Sequence, residues 1–412
     1  MTGPRPTPRG EEESRAVLTQ RTPTTQTTGR KAKGLRWPVL TAVLTAGAIA
    51  SGGLLTADIG ADRPASTAPV AAAAPLAADG PWRATAVPVK KGDLTAVDGL
   101  DAANVWAVGY RLIGLSGGEP VALRWNGTSW REESKLPTGL WPQALSVRSA
   151  NDIWAAGAQT AHWNGTSWTH HTLAADPAGQ VTPDALDTAP DGSVWVAGRA
   201  ITSPGSIKVA APAVQRWNGT AWQRQPLPDV GAGELSAVKA VAADNVWAVG
   251  ASFAPEGGKQ SALALHWNGS SWKRATLPAA RAGEHRWFNG VTATRSGEIW
   301  AVGATVAADG TERPYTARWD GRTWTEPKTP AVADGRLRSV TETSDGALWA
   351  GGGKGAASLL LRWDAANRRW EKAADPGLTV RSITSVPGSR TLWTVGVATS
   401  GDMLPTAARL PR

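Results

Sequence analysis

The chain has 412 residues, 42% of them apolar and 19% charged, enough to build a core and too apolar for a disordered polymer. It contains no cysteine, which excludes a disulfide framework, thiolate metal sites and a cysteine nucleophile. The net charge of +9 is mostly local: residues 1–36 carry eight Lys/Arg and three acids, and the rest of the chain is left at only +4. A nucleic-acid-binding body would carry its positive charge on the fold itself, so no nucleic-acid partner is expected.

The N-terminus reads as an address. Residues 1–36 form a basic, disordered leader on the cytoplasmic side. Trp37 to Ala57 (WPVLTAVLTAGAIASGGLLTA) is an uncharged run behind Arg30, Lys31, Lys33 and Arg36. Such a run is long enough to span a bilayer as a helix, and the flanking bases hold its start in the cytoplasm. Two versions are open. One is a cleaved signal peptide, with small-residue sites at Ala48-Ile49-Ala50 or Val70 to Ala74. The other is an uncleaved signal-anchor, which the long leader favours because secretory n-regions are short. Either way, the chain beyond Asp58 is expected outside the cytoplasm, attached to the membrane through residues 37–57 or secreted. Residues 58–80 follow as an Ala/Pro-rich linker without periodicity.

From residue 81 onward two phrases alternate. The first is a strand ending in Trp: ANVWAVG at Trp106, NDIWAAG at Trp154, GSVWVAG at Trp195 and DNVWAVG at Trp247. It continues as GEIWAVG at Trp300, GALWAGG at Trp349 and RTLWTVG at Trp393. The second is a hairpin, WNGTSW at Trp125 to Trp130 and at Trp163 to Trp168, WNGTAW at Trp217 to Trp222 and WNGSSW at Trp267 to Trp272. It recurs as WDGRTW at Trp319 to Trp324 and, longer, as WDAANRRW at Trp363 to Trp370. Asn-Gly and Asp-Gly between strand-like runs are the strongest short hairpin signal.

There are seven copies of the first phrase and six of the second. The missing hairpin is split between the ends: Trp82-Arg-Ala-Thr matches an outgoing strand, and Thr406-Ala-Ala-Arg-Leu410 matches an incoming one. A closed ring has this arrangement when its first strand completes its last blade. Each unit of about 47 residues reads as four short strands. The predicted fold is therefore all-β: a seven-bladed β-propeller of four-stranded antiparallel blades over residues 81–412, closed by the N-terminal strand, with the apolar helix outside it.

These units resemble bacterial extracytoplasmic β-propellers of the kelch and Asp-box-like kind. The segments SDGALW (Ser344 to Trp349) and PDGSVW (Pro190 to Trp195) are similar to the repeats of two-component-regulator propellers. The resemblance implies the fold and leaves function open, because propellers host unrelated activities. It excludes one chemistry. The copper site of galactose-oxidase-like kelch enzymes needs a Cys-linked Tyr, and this chain has no Cys and only Tyr110 and Tyr315.

Nineteen of the 23 Trp fall in the two phrases, and the repeated Trp are expected to pack between blades. The alternative is a lectin with one sugar site per blade. Asn126, Asn164, Asn218 and Asn268 match glycosylation acceptors but read more simply as turn residues. His162 and His266, each just before a hairpin Trp, read as strand positions.

Connections between strands two and three (Tyr110 to Pro120, Arg199 to Ala213, Ser252 to Ser261, Ala304 to Tyr315) read as long and irregular. They share one face with the connections between strands four and one, and variation on one face of a rigid scaffold marks a binding surface. Trp141 and Trp287 each stand 13 residues before their blade's strand-two Trp, at one structural position beside the channel mouth. Asp93, Glu234 and Arg336 occupy it in other blades, and His285 lies nearby on the loop face. These six are the candidate ligand-binding residues.

No spacing of the five His or of the acids makes a metal site, a triad or a carboxyl pair, so no catalytic residue, metal or cofactor is assigned. The sequence reading is a monomeric extracytoplasmic propeller that binds a protein or a cell-wall glycan at the loop-rich face. The alternatives are a secreted glycan hydrolase or lyase with its site on that face, and a purely structural scaffold.

Overall fold

The structure, a computed structural model, describes Gly3 and residues 82–411 other than 115–116, 203–208, 255–259 and 401–402. The expected leader, apolar helix and linker of residues 1–36, 37–57 and 58–80 lie outside the described residues. No helix among those described is long and apolar enough to cross a membrane.

The described residues form seven four-stranded antiparallel sheets, the blades of a propeller. The inner strands that line the central channel are Gly92–Asp101, Ala144–Ser149, Gln180–Thr188, Gly233–Ala242, His285–Ala293, Gly335–Glu342 and Leu378–Ser385, for blades 1 to 7. Blade 7 takes its outer strand from the start of the domain. Arg83–Thr85 pairs with Pro405–Leu410, Arg83 opposite Arg409. In the other six blades two Trp face each other at this joint; here their places fall to Trp82 and Leu410, both buried. The ring closes as the repeats foretold.

The hairpin turns are built by their Asn or Asp. The Asn126 side-chain oxygen accepts from the amides of Thr128 (3.0 Å) and Ser129 (2.9 Å), while Gly127 takes the positive φ (98°) that the turn requires. Asn164, Asn218, Asn268 and Asp320 repeat the arrangement. Turn formation explains these residues without a glycan.

The repeated Trp hold blade to blade. Six of the seven strand-two Trp reach the hairpin pair of the next blade: Trp106 meets Trp163 (5.6 Å between ring centroids) and Trp168 (6.3 Å), and Trp195 meets Trp267 (5.7 Å) and Trp272 (5.8 Å). The seventh, Trp349, packs in one cluster with Trp82 and Leu410. At the last junction Trp393 reaches forward to Trp125 (5.0 Å) and Trp130 (5.2 Å) of blade 1. Across the ladder, the residue opposite each strand-two Trp covers its face. Arg124, Arg216, Arg318, Arg362 and Arg409 lay guanidinium groups over the ring, and His162 and His266 stack on it at 4.5 and 4.2 Å. Aromatic and cation–π contacts of this kind add to the burial of large rings. A lectin surface is not what these Trp form.

One expectation is corrected. The connections between strands two and three are mostly ladder, not irregular loop. Tyr110 pairs with Pro120 and Ile113 with Gly117, Arg199 pairs with Pro212, Ser252 with Ser261, and Ala304 with Pro314. Gly, Pro and Ala within these segments hid the two-residue alternation, yet the backbone of strands already paired lower down continues upward. The loop-rich face is therefore a crown of extended hairpins.

Candidate functional site

The final Gly of each strand-two phrase shapes the channel. A Cβ on Gly109, Gly303 or Gly396 would lie 2.0 Å from the carbonyl oxygen of Asp93, Trp287 or Thr379 on the inner strand. The bare Gly lets the two strands approach, and the inner strand bulges at the next step. Register shifts fall between Leu94 and Ala96, Pro183 and Ala185, Leu235 and Ala237, Phe288 and Gly290, Leu337 and Ser339, and Val380 and Ser382. A bulge leaves one residue unpaired and re-aims its side chain. The bulged residues are Thr95, Asp184, Ser236, Asn289, Arg338 and Arg381, with Gln143 at the matching place in blade 2, and all seven line the central cavity. All seven are polar.

That cavity has a volume of about 550 Å³. Its walls differ from blade to blade. Blades 6 and 7 contribute Arg338 and Arg381, and Arg381 Nε donates to Asp93 Oδ2 of blade 1 at 2.8 Å. Blades 3 and 4 contribute Arg199 Nη1 between Asp184 (2.6 Å) and Glu234 (3.3 Å). Toward the other end Lys239 Nζ pairs with Asp187 at 2.9 Å, and Asp98 accepts from the Val147 and Gly99 amides and from the Thr384 hydroxyl.

Enclosure sets the titration of these groups. Burial pushes Glu234 up to about 7 and Asp184 up to about 6, only partly offset by Arg199. Burial likewise raises Asp98 to about 6 against its backbone hydrogen bonds, and raises Asp93 against the pull of Arg381. Lys239 moves upward because Asp187 stabilises its charge. Arg338 is lowered to about 9, first by burial and then by the like charges of Arg381 and Arg336.

Three of the six residues singled out from the sequence meet here: Asp93, Trp141 and Glu234. Trp141 lies against Tyr110 edge-on, 5.5 Å between centroids. Its φ of 47° is left-handed, which costs a non-Gly residue of the order of 1–3 kcal/mol. Strand pairing in blade 2 begins only at Ala144, after Pro142, so Trp141 stands off the ladder and its ring swings to the cavity.

The other three point elsewhere. Trp287 holds the place of Trp141 in the repeat but sits within its ladder opposite Ala304. It is buried with Ala251 and Ala304 between blades 4 and 5. Arg336 pairs with Glu312 of blade 5 at 2.8 Å, and His285 Nδ1 accepts from the Gln260 amide at 3.2 Å. None of these three lines the cavity, so the structure does not bring the two Trp together as a clasp. The residues that sequence reasoning missed are those at the bulge. The signal was present, since that position is polar in every repeat. Among the described residues no cluster of His, Asp and Glu is placed to hold a metal.

No family model matches the chain, and no curated protein matches it. Its fold is that of solved propellers. A catalytically inactive virginiamycin B lyase from Staphylococcus aureus with quinupristin is 14% identical, with 80% of this chain and 98% of that chain covered and a TM-score of 0.56. A streptogramin B lyase is 13% identical over 80% and 96% of the two chains, with a TM-score of 0.54. The WD40 propeller domain of Doa1 is 12% identical over 79% and 96%, also at 0.54. At such identities the likeness shows the seven-bladed propeller fold and nothing of the ligand.

Proposed function

We propose that the protein is a monomeric extracytoplasmic binding module of the kelch and Asp-box-like kind, carried out of the cytoplasm by residues 37–57. It takes a short hydrophilic segment of its ligand, from a protein chain or a cell-envelope glycan, into the channel from the loop-rich face. One observation carries this reading. Side chains repeated in every blade are buried between blades, whereas those that differ from blade to blade converge on the cavity with a strained Trp at its rim. Repetition serves the scaffold, and a site for one ligand needs seven unlike walls.

The test is an array of cell-wall saccharides and peptides, probed with the wild type and with a Tyr110→Ala, Trp141→Ala double variant. Binding at least tenfold weaker in the variant supports a channel site. Undiminished binding moves the ligand away from the channel.

A second reading, an enzyme acting on glycans, has one specific support. Asp184 and Glu234 share a single nitrogen of Arg199 and both resist ionisation, so one protonated and one ionised carboxyl can coexist at neutral pH. That is the division of labour between an acid and its partner in glycoside cleavage. Turnover of a glycan found on the array, abolished by Glu234→Gln with binding retained, decides for this reading.

A further inference from the structure

Nine charged side chains line the cavity, and eight of them are neutralised or hydrogen-bonded by neighbours. Arg338 is the exception. Among the described residues its guanidinium has no ion pair and no hydrogen bond, and its Nε is sealed from solvent without an acceptor. A charge placed so is costly unless something completes it. The next blade carries Arg381 at the same bulge position, which brings two guanidinium groups to neighbouring walls. Arg381 is fixed through Nε alone by Asp93. The cluster thus offers unused N–H donors to the cavity.

We propose that Arg338 and Arg381 form a receptor for one carboxylate of the ligand. This rests on the channel being the binding site. A planar carboxylate matches the fork of a guanidinium. The charge count selects it over a phosphate dianion. The lining already holds five carboxylates against four cations, so it has little room for further negative charge, and Arg338 is the one cation among them without an ion pair. One negative charge completes it, and a second would face Asp93. A peptide end, with its C-terminal carboxylate, and a sugar acid share this chemistry.

Calorimetry on the full chain with two matched pairs separates these sources: N-acetyl-alanyl-alanine against its C-terminal amide, and digalacturonate against its methyl ester. The acid of one pair should bind at least tenfold tighter than its neutral form. Arg338→Gln should remove that preference and Arg338→Lys should keep part of it. Arg338 makes no ion pair or hydrogen bond among the described residues, so Arg338→Gln should melt no lower than the wild type, and lost binding would not be lost folding. Equal binding of acid and neutral forms, a preference that survives Arg338→Gln, or no binding in either pair overturns the carboxylate receptor. The Tyr110 and Trp141 double variant on the array tests the channel itself separately: weakened array binding there, with no acid preference here, leaves a channel site for an uncharged ligand.

Discussion

Asp184 and Glu234, on the inner strands of adjacent blades, accept from the same nitrogen of Arg199 at 2.6 and 3.3 Å. Two carboxyls and one guanidinium make a triad that is short of one positive charge when both acids ionise, inside a wall where burial already opposes ionisation. The folded protein therefore keeps protons that the unfolded chain releases. Glu234 is raised to about 7 and Asp184 to about 6, both above their unfolded values, so the more protonated state is the native one between about pH 4 and pH 7. Stability from these groups is fully present below that window and falls as pH rises through it. Chemical denaturation from pH 4 to pH 8 should show this decline, and Glu234→Gln should reduce it, gaining on the wild type as pH rises. A variant that loses ground with rising pH instead would mean that the Arg199 pairing outweighs desolvation.

The Trp ring makes a prediction about which rings hold the fold. Trp195 is fully buried and touches two Trp of the next blade, so Trp195→Ala should cost about 3–5 kcal/mol in equilibrium unfolding. Trp141 is half-buried, off the ladder and at a left-handed φ. Trp141→Ala should cost no more than about 1 kcal/mol while weakening ligand binding. Similar losses at both positions would make Trp141 a packing residue.

Repetition explains how far the sequence could be read. Blade number, ring closure through Trp82 and Leu410, and the structural role of His162 and His266 all follow from phrases that recur, because interblade packing imposes the same residue each time. The equivalent place of Trp141 and Trp287 in the repeat was also readable. Their different rings were not, because φ at Trp141 depends on the late start of strand pairing in blade 2. Arg338 and Arg381 stayed hidden for a related reason. A bulge is a register event between two strands, and a single strand's pattern shows it only when the glycine opposite is known to forbid a Cβ.

The closing blade should be the first to open. Its outer strand is not joined to the strand beside it by a hairpin turn, and the pair that replaces two facing Trp is Trp82 with Leu410. Opening free energies are lowest where buried contacts are fewest. Native-state hydrogen exchange should therefore be faster for amides of 392–410 than for the equivalent 299–319 of blade 5. Trp82→Ala should widen the difference. Equal protection in the two blades would show that blade 1, whose Trp125 and Trp130 pack on Trp393, holds blade 7 as firmly as a full hairpin does.

Gly303 stands where no side chain fits. Added as Gly303→Ala, a Cβ would meet the Trp287 carbonyl oxygen at 2.0 Å and the Phe288 Cα at 2.8 Å, both backbone atoms that cannot swing aside. The strands must then part at the bulge beside Asn289, a wall residue of the cavity. The expected result is a loss of several kcal/mol or a chain that does not fold, far beyond the ordinary cost of about 1 kcal/mol for a point substitution. Gly297→Ala, at an open turn of the same blade with φ of 83° and nothing within 4 Å of the new methyl, pays only its backbone strain. Circular dichroism melts of the two variants compare the clash with the strain. If Gly303→Ala melts no lower than Gly297→Ala, close strand approach is not what the repeated glycine provides.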